Sequence, residues 1–168
     1  PKDQAIEPVS SQLKAAIIDQ LSLTTPNQTF VETVTTILKQ AGYAVDYYPG
    51  EKSTVDLYRT LPSKGHSIIL LRVHAGNDQY DTMPTFLWTS EPYSTSKYVY
   101  EQLTNQLCQT GASFENWPTV FAIGPEFVRK SMHGQFQNSL IIAMGCETLK
   151  DKDLAKAFVE KGASAFVG

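Results

Sequence analysis

The stretch Ser67-Ile68-Ile69-Leu70-Leu71-Arg72-Val73-His74-Ala75-Gly76 decides the fold class of this chain. It is a short run of β-branched and Leu residues, bounded by a polar residue and a glycine. A run of this length and composition predicts a buried strand rather than a helix. A second run, Ser139-Leu140-Ile141-Ile142-Ala143-Met144-Gly145-Cys146, has the same character. Each run ends in a chemically competent side chain with glycine beside it, His74 in the first and Cys146 in the second. In an open α/β sheet, the C-terminal edge of the strands is where ligands bind. A Cys and a His on two such strand ends are the components of a thiolate nucleophile and its base.

Reading outward, Leu13 to Ile18 is a first apolar strand. Thr25-Pro26-Asn27-Gln28 combines a capping-box spacing with Pro at the first helical position. Phe30, Val31, Val34, Ile37, Leu38 and Ala41 follow at helical spacing, and Gly42 is placed to cap the C-terminus. Tyr43 to Tyr48 predicts a second strand. Ser53-Thr54-Val55-Asp56 starts a short helix carrying Leu57 and Leu61, which Pro62 ends. The strand leading to His74 is next. This strand–helix alternation predicts a parallel sheet with right-handed crossovers and helices on both faces.

Beyond His74, Thr85 to Trp88 reads as a short strand forming one arm of a hairpin. Lys97 to Gln109 reads as helical, which would make Cys108 a small core residue. Thr119 to Ile123 is a further short strand. After the Cys146 strand, Asp151 is placed to cap a helix through Lys161 with Leu154, Ala155, Phe158 and Val159 on one face. Gly162 stops it, and Ala163 to Val167 is a last strand.

Cys146 precedes a polar turn, Glu147-Thr148, that leads towards this helix. A helix N-terminus would lower the pKa of a nearby thiol. Of the other histidines, His66 lies before its strand, at the wrong edge of the sheet, and His133 sits in a polar turn. A zinc site would need three or four ligands, and no His or carboxylate at ligand-like spacing completes a set with His74 and Cys146. No metal or cofactor is therefore expected. There is no Gly-rich phosphate loop after the first strand and no Gly-x-Ser-x-Gly elbow. Glu91-Pro92-Tyr93 and Gly124-Pro125-Glu126-Phe127 are turn-like and could wall a pocket.

The 168 residues suffice for one domain with a core. A net charge of −3 without a Lys/Arg cluster argues against a nucleic-acid surface. No apolar stretch approaches about 20 residues, so no membrane span is expected. The two cysteines, Cys108 and Cys146, do not make a disulfide framework. The chain starts at Pro1 without a Met and shows no signal peptide. Location is thus left open, an extracytoplasmic one with a removed signal or anchor included.

An apolar strand ending in His and a later apolar strand ending in a small residue and Cys resemble the caspase-like cysteine peptidases of clan CD. The stretch from Met144 through Leu154-Ala155-Lys156-Ala157-Phe158 to Gly162-Ala163-Ser164-Ala165-Phe166-Val167-Gly168 is most similar to the clostripain and gingipain side of that clan. The resemblance covers the scaffold from Leu13 to Gly168. It implies a single caspase-like domain over residues 1–168, a three-layer α/β/α sandwich with a mostly parallel central sheet.

It also implies a cysteine endopeptidase acting on polypeptides through an acyl-enzyme. His74 would be the general base and acid, Cys146 the nucleophile, and the backbone N–H groups of Ala75, Gly76 and Cys146 the oxyanion hole. Two positions depart from the pattern: Ala75 stands directly after the His where Gly is usual, and Gly145 stands before the Cys where caspases have Ala. The family's sheet usually continues past the strand that follows the Cys. The resemblance therefore implies a dyad-bearing part of a longer or processed chain. It predicts an unpaired edge at the last strand, met by a C-terminal chain of the same precursor or by a second copy. Two other functions fit the same elements: an inactive caspase-like scaffold, and a flavodoxin-like ligand-binding domain in which His74 and Cys146 are incidental. An acidic pocket would select Arg or Lys, and Asp78, Asp81, Glu91 and Glu147 are the carboxylates near enough in sequence to consider.

Overall fold

The computed structural model describes residues 12–76, 84–111 and 118–168. Five strands form a parallel sheet: β1 (Lys14–Asp19), β2 (Ala44–Pro49), β3 (Ile68–Arg72), β8 (Leu140–Met144) and β9 (Ala165–Val167). Their order is β2-β1-β3-β8-β9, and all four neighbouring pairs are parallel. Four further strands, β4 (Ala75–Gly76), β5 (Phe86–Pro92), β6 (Leu107–Thr110) and β7 (Val120–Ile123), make an antiparallel sheet in the order β4-β5-β7-β6. The helices are α1 (Gln28–Gln40), α2 (Val55–Thr60), α3 (Val99–Leu103), α4 (Pro125–Lys130) and α5 (Asp153–Glu160).

Side chains alternate across a strand, and both faces of the parallel sheet are covered. On one face Ala15, Ile17 and Leu70, with Ile68 and Ile142, pack against Phe30, Val34 and Leu38 of α1. On the other, Ala16, Ile18, Ile69, Leu71, Ile141 and Ala143 join Tyr58 of α2, Phe127 of α4 and Phe158 of α5. Leu87, Leu107, Phe121 and Ile123 bring the antiparallel sheet into this second core. The result is an α/β fold with a five-stranded parallel sheet flanked by helices. Among the described residues β9 pairs only with β8, so it forms one edge. No described helix is long and apolar enough to cross a membrane.

Three local expectations need correction. Helix α1 starts at Gln28, with Asn27 as its N-cap accepting from the Phe30 N–H at 3.0 Å, rather than with Pro26 as its first residue. Thr25 is held outside the helix because its carbonyl accepts a hydrogen bond from Arg72. The apolar stripes are also narrower than the sequence spacing implied. Ile37 in α1 and Val159 in α5 are exposed, and Ala157 is buried. At 3.6 residues per turn Val159 lies about 140° around the helix from Leu154, too far to share its face.

The largest correction is at Cys108. The helix predicted over Lys97 to Gln109 is only the five residues of α3, and Cys108 lies on β6. Asn105 adopts a left-handed conformation with φ of 54° and ends the helical path. Asn is among the few residues that take this conformation readily. Leu107 to Thr110 then pair with β7. Alternation sends Leu107 into the main core and Cys108 against the Phe86–Trp88–Val120–Ala122 cluster.

Two helix ends follow the glycine expectation closely. Gly42 has φ of 88°; its N–H donates to Lys39 O and the Tyr43 N–H to Leu38 O. Gly162 has φ of 101°; its N–H donates to Val159 O and the Ala163 N–H to Phe158 O. Both are Schellman motifs, in which glycine supplies the left-handed residue without a Cβ penalty.

Candidate active site

The strand order 2-1-3-4-5 of the parallel sheet reverses direction between β1 and β3. In such sheets ligands bind at the C-terminal strand ends beside this switch point. Asp19 closes β1 and Arg72 closes β3, and the two are register partners. Their side chains form a buried ion pair at 2.6 Å, Asp19 being 1% and Arg72 8% exposed. Arg72 also donates to Thr25 O, and Tyr47 Oη donates to the second Asp19 oxygen at 3.3 Å. A buried charge pair persists when its hydrogen-bonding capacity is met in this way. It ties the turn after β1 to the end of β3.

His74 follows Arg72 by two residues. Its backbone N–H donates to Gln20 Oε1 at 3.0 Å, and its carbonyl accepts from the Trp88 N–H at 2.9 Å. The ring packs on Trp88 with centroids 5.2 Å apart, and Nε2 is 3.2 Å from Thr24 Oγ1. Partial burial and, secondarily, the Arg72 guanidinium hold the His74 pKa below the ordinary histidine value. Both effects penalise the imidazolium, so the neutral, basic form is favoured at pH 7. The ring borders a cleft of about 350 Å³, open to solvent, lined by Gln20, Leu23, Thr24, Trp88, Ser90, Pro118 and Val120.

Cys146 stands two residues beyond β8, as His74 stands two residues beyond β3. The last register pair of the two strands is Arg72↔Met144, so their exits are level. The exits also touch: a Cβ placed on Gly145 would lie 2.5 Å from Val73 O and 3.2 Å from Ala75 Cβ. Cys146 is solvent-exposed, and it is not among the residues lining the His74 cleft. The turn that carries it is fastened to the start of β5. Thr85 Oγ1 donates to Glu147 O at 3.1 Å, and the Thr85 N–H donates to Asp151 Oδ2 at 2.6 Å.

The helix-dipole explanation for an activated Cys146 does not hold. Helix α5 begins only at Asp153, after a turn that occupies residues 145–150, so the thiol is not at its N-terminus. Asp151 contributes to that helix start by accepting from the Asp153 N–H at 2.9 Å. Of the backbone donors implied for an oxyanion, Ala75 and Gly76 form β4 and pair with Leu87 and Phe86. Residues in an antiparallel ladder alternate between bonded and non-bonded pairs. The bond from Trp88 N to His74 O makes Ala75 a non-bonded position and Gly76 a bonded one. The Gly76 N–H is thus engaged with β5, while the Ala75 N–H turns away from it.

The remaining candidates are placed elsewhere. His66 is 2% exposed at the opposite edge of the sheet, its Nε2 2.8 Å from Asp46 Oδ2. His133 is exposed. Cys108 is half-buried, and burial pushes its thiol pKa up to about 12. Glu91 is a structural carboxylate: it accepts from the Val55 N–H at 3.1 Å and from Tyr98 Oη at 3.0 Å. Glu147 pairs with Lys150 at 3.2 Å. Asp78 and Asp81 lie outside the described residues. Among those described, no group of three or more His, Cys, Asp or Glu could hold a metal ion.

Sequence reading missed Asp19, Gln20, Thr24 and Trp88 as parts of the site. One clue was present: Arg72 is a lone charge inside an apolar strand, and a charge that deep needs a partner. No family model, curated protein or solved structure matches this chain.

Proposed function

We propose that this chain is a caspase-like cysteine endopeptidase domain with His74 and Cys146 as its dyad. The observation that supports it is the level, touching exit of β3 and β8, which puts an imidazole and a thiol just past the ends of adjacent parallel strands. Cys146 Sγ attacks the scissile carbonyl after losing its proton to His74. The N–H groups of Ala75 and Cys146 are the donors for the resulting oxyanion. His74 passes its proton to the leaving amine, which departs as the C–N bond breaks. It then deprotonates the water that hydrolyses the thioester. Catalysis requires the imidazole to give up Thr24 for the thiol; resting dyads are often looser than a hydrogen bond.

Both Cys146→Ala and His74→Ala should retain the fold and lose at least about 10³-fold in peptide hydrolysis. The double variant should be no worse than either single one, because nucleophile and base act as a unit. Hydrolysis persisting in Cys146→Ala excludes the thiol mechanism. Alkylation of Cys146 no faster than that of a free thiol, with no turnover, favours an inactive scaffold.

A second function is favoured by one specific observation. The cleft at the β1/β3 switch point is where a sheet of this order binds small ligands, and Cys146 does not line it. A flavodoxin-like ligand-binding domain would leave ligand affinity unchanged in Cys146→Ala and abolish it on filling the cleft.

A further inference from the structure

We infer that the cleft beside His74 is the specificity pocket of the proposed peptidase and takes an uncharged, largely apolar side chain, that of the residue preceding the scissile bond. The inference rests on the peptidase function proposed above. It contrasts with the acidic pocket that would select Arg or Lys.

The lining carries the case. Leu23, Trp88, Pro118 and Val120 supply apolar surface, while Gln20, Thr24 and Ser90 are polar but uncharged. His74, the one titratable group among the described lining residues, is held towards its neutral form. Asp19 and Arg72, at the strand ends beside the cleft, are spent on each other at 2.6 Å, with Arg72 also bonded to Thr25 O. Neither Glu91 nor Glu147 is among the lining residues; Glu91 is engaged by Val55 and Tyr98, and Glu147 by Lys150. Among the described lining residues there is no formal charge to meet a carboxylate or guanidinium, and burying such a group without a counter-charge costs far more than an apolar group gains. An apolar side chain covers Trp88 and Leu23 instead. Ser90 Oγ, on the same wall, is buried without a hydrogen-bond partner among the described residues.

The entrance is shaped by Leu23, which is 49% exposed and rests on Gly50. A Cβ on Gly50 would lie 2.4 Å from Leu23 Cγ, so the glycine leaves room for the leucine to lie against the turn after β2. Because Leu23 is half-exposed, a charge can be placed there without burying it in the core.

Two readouts on the whole chain separate this inference from the peptidase function. The first is Cys146-dependent hydrolysis of a peptide library varied at the residue before the scissile bond. Leu, Met, Phe and Tyr should exceed Asp, Arg and Lys by about 100-fold or more in kcat/KM. Leu23→Asp should shift the preference towards Arg and Lys. The second needs no turnover: acetylated peptide amides ending in Leu, Phe, Asp or Arg are titrated into Cys146→Ala protein also carrying Trp117→Phe. This leaves Trp88 as the only tryptophan, and its fluorescence reports occupancy. Apolar peptides should bind at least about 10-fold more tightly than charged ones, and Leu23→Asp should reverse the order for Arg.

Cys146-dependent turnover that prefers Asp or Arg overturns the pocket assignment and leaves the peptidase standing. Fluorescence that responds to none of the peptides, or equally to all, also overturns it. The expected binding order without any Cys146-dependent hydrolysis upholds the cleft's chemistry and removes the peptidase.

Discussion

Replacing Gly145 by Ala should damage the site more than its single methyl group suggests. The added Cβ would lie 2.5 Å from Val73 O, 3.2 Å from Ala75 Cβ and 3.2 Å from Thr148 Cγ2. Comfortable carbon contacts lie near 3.5–4.0 Å, so the shortest of these must open by about 1 Å. The atom it meets is backbone and cannot rotate away. Val73 is fully buried, and the next residue is pinned at its N–H by Gln20 and at its carbonyl by Trp88. The strand exit carrying His74 will therefore hold, and the turn carrying Cys146 will move. Overpacking of this kind costs about 1–3 kcal/mol. A displacement of about 1 Å between reacting groups can cost about 100-fold in rate. Urea unfolding should show a lower midpoint with unchanged slope, and Cys146-dependent hydrolysis should fall by about 100-fold. Wild-type stability together with wild-type turnover in Gly145→Ala would refute the tight contact of the two strand exits. That contact also accounts for the glycine at this position.

Other expectations follow from the buried charges and thiols. Asp19→Asn leaves the Arg72 guanidinium buried without its counter-charge and should cost about 3–5 kcal/mol in denaturant unfolding; a loss below about 1 kcal/mol would show that the pair is hydrated. The Cys108 thiol, with its pKa near 12, should resist iodoacetamide at pH 7.5 in native Cys146→Ala protein and react once the protein is unfolded. Fast native labelling would place Cys108 in a more open setting. His66 is kept below the ordinary histidine pKa, first by desolvation, with Lys14 and Lys64 adding to the effect and Asp46 opposing it. The unfolded chain then binds more protons, so this contribution to stability is full above about pH 6.5 and declines as pH falls towards the folded-state pKa. Urea midpoints should drop between pH 7.5 and 5.5, and His66→Asn should flatten that slope; an unchanged slope would assign the drop to other groups.

The parallel scaffold was legible in the order of the amino acids alone. The apolar runs at Leu13–Ile18, Ser67–Val73 and Ser139–Met144 are too short for helices and too apolar for a half-exposed sheet, so both faces had to be covered. The glycines at 42 and 162 ended their helices because left-handed residues without a Cβ penalty are a local requirement. The strand ends bearing His74 and Cys146 were legible for the same reason, since a strand terminus is a one-dimensional feature. Their surroundings were set by packing between distant segments. Leu107 to Thr110 became a strand because β7 was there to pair with it, although its own residues also suit a helix. Asp19 and Arg72 met across 53 positions of sequence because β1 and β3 are sheet neighbours. The same adjacency brought Gln20 and Thr24 to His74 and opened the cleft beside the imidazole. These are contacts between segments remote in sequence, so they are encoded in the packing of the whole chain rather than in any local pattern.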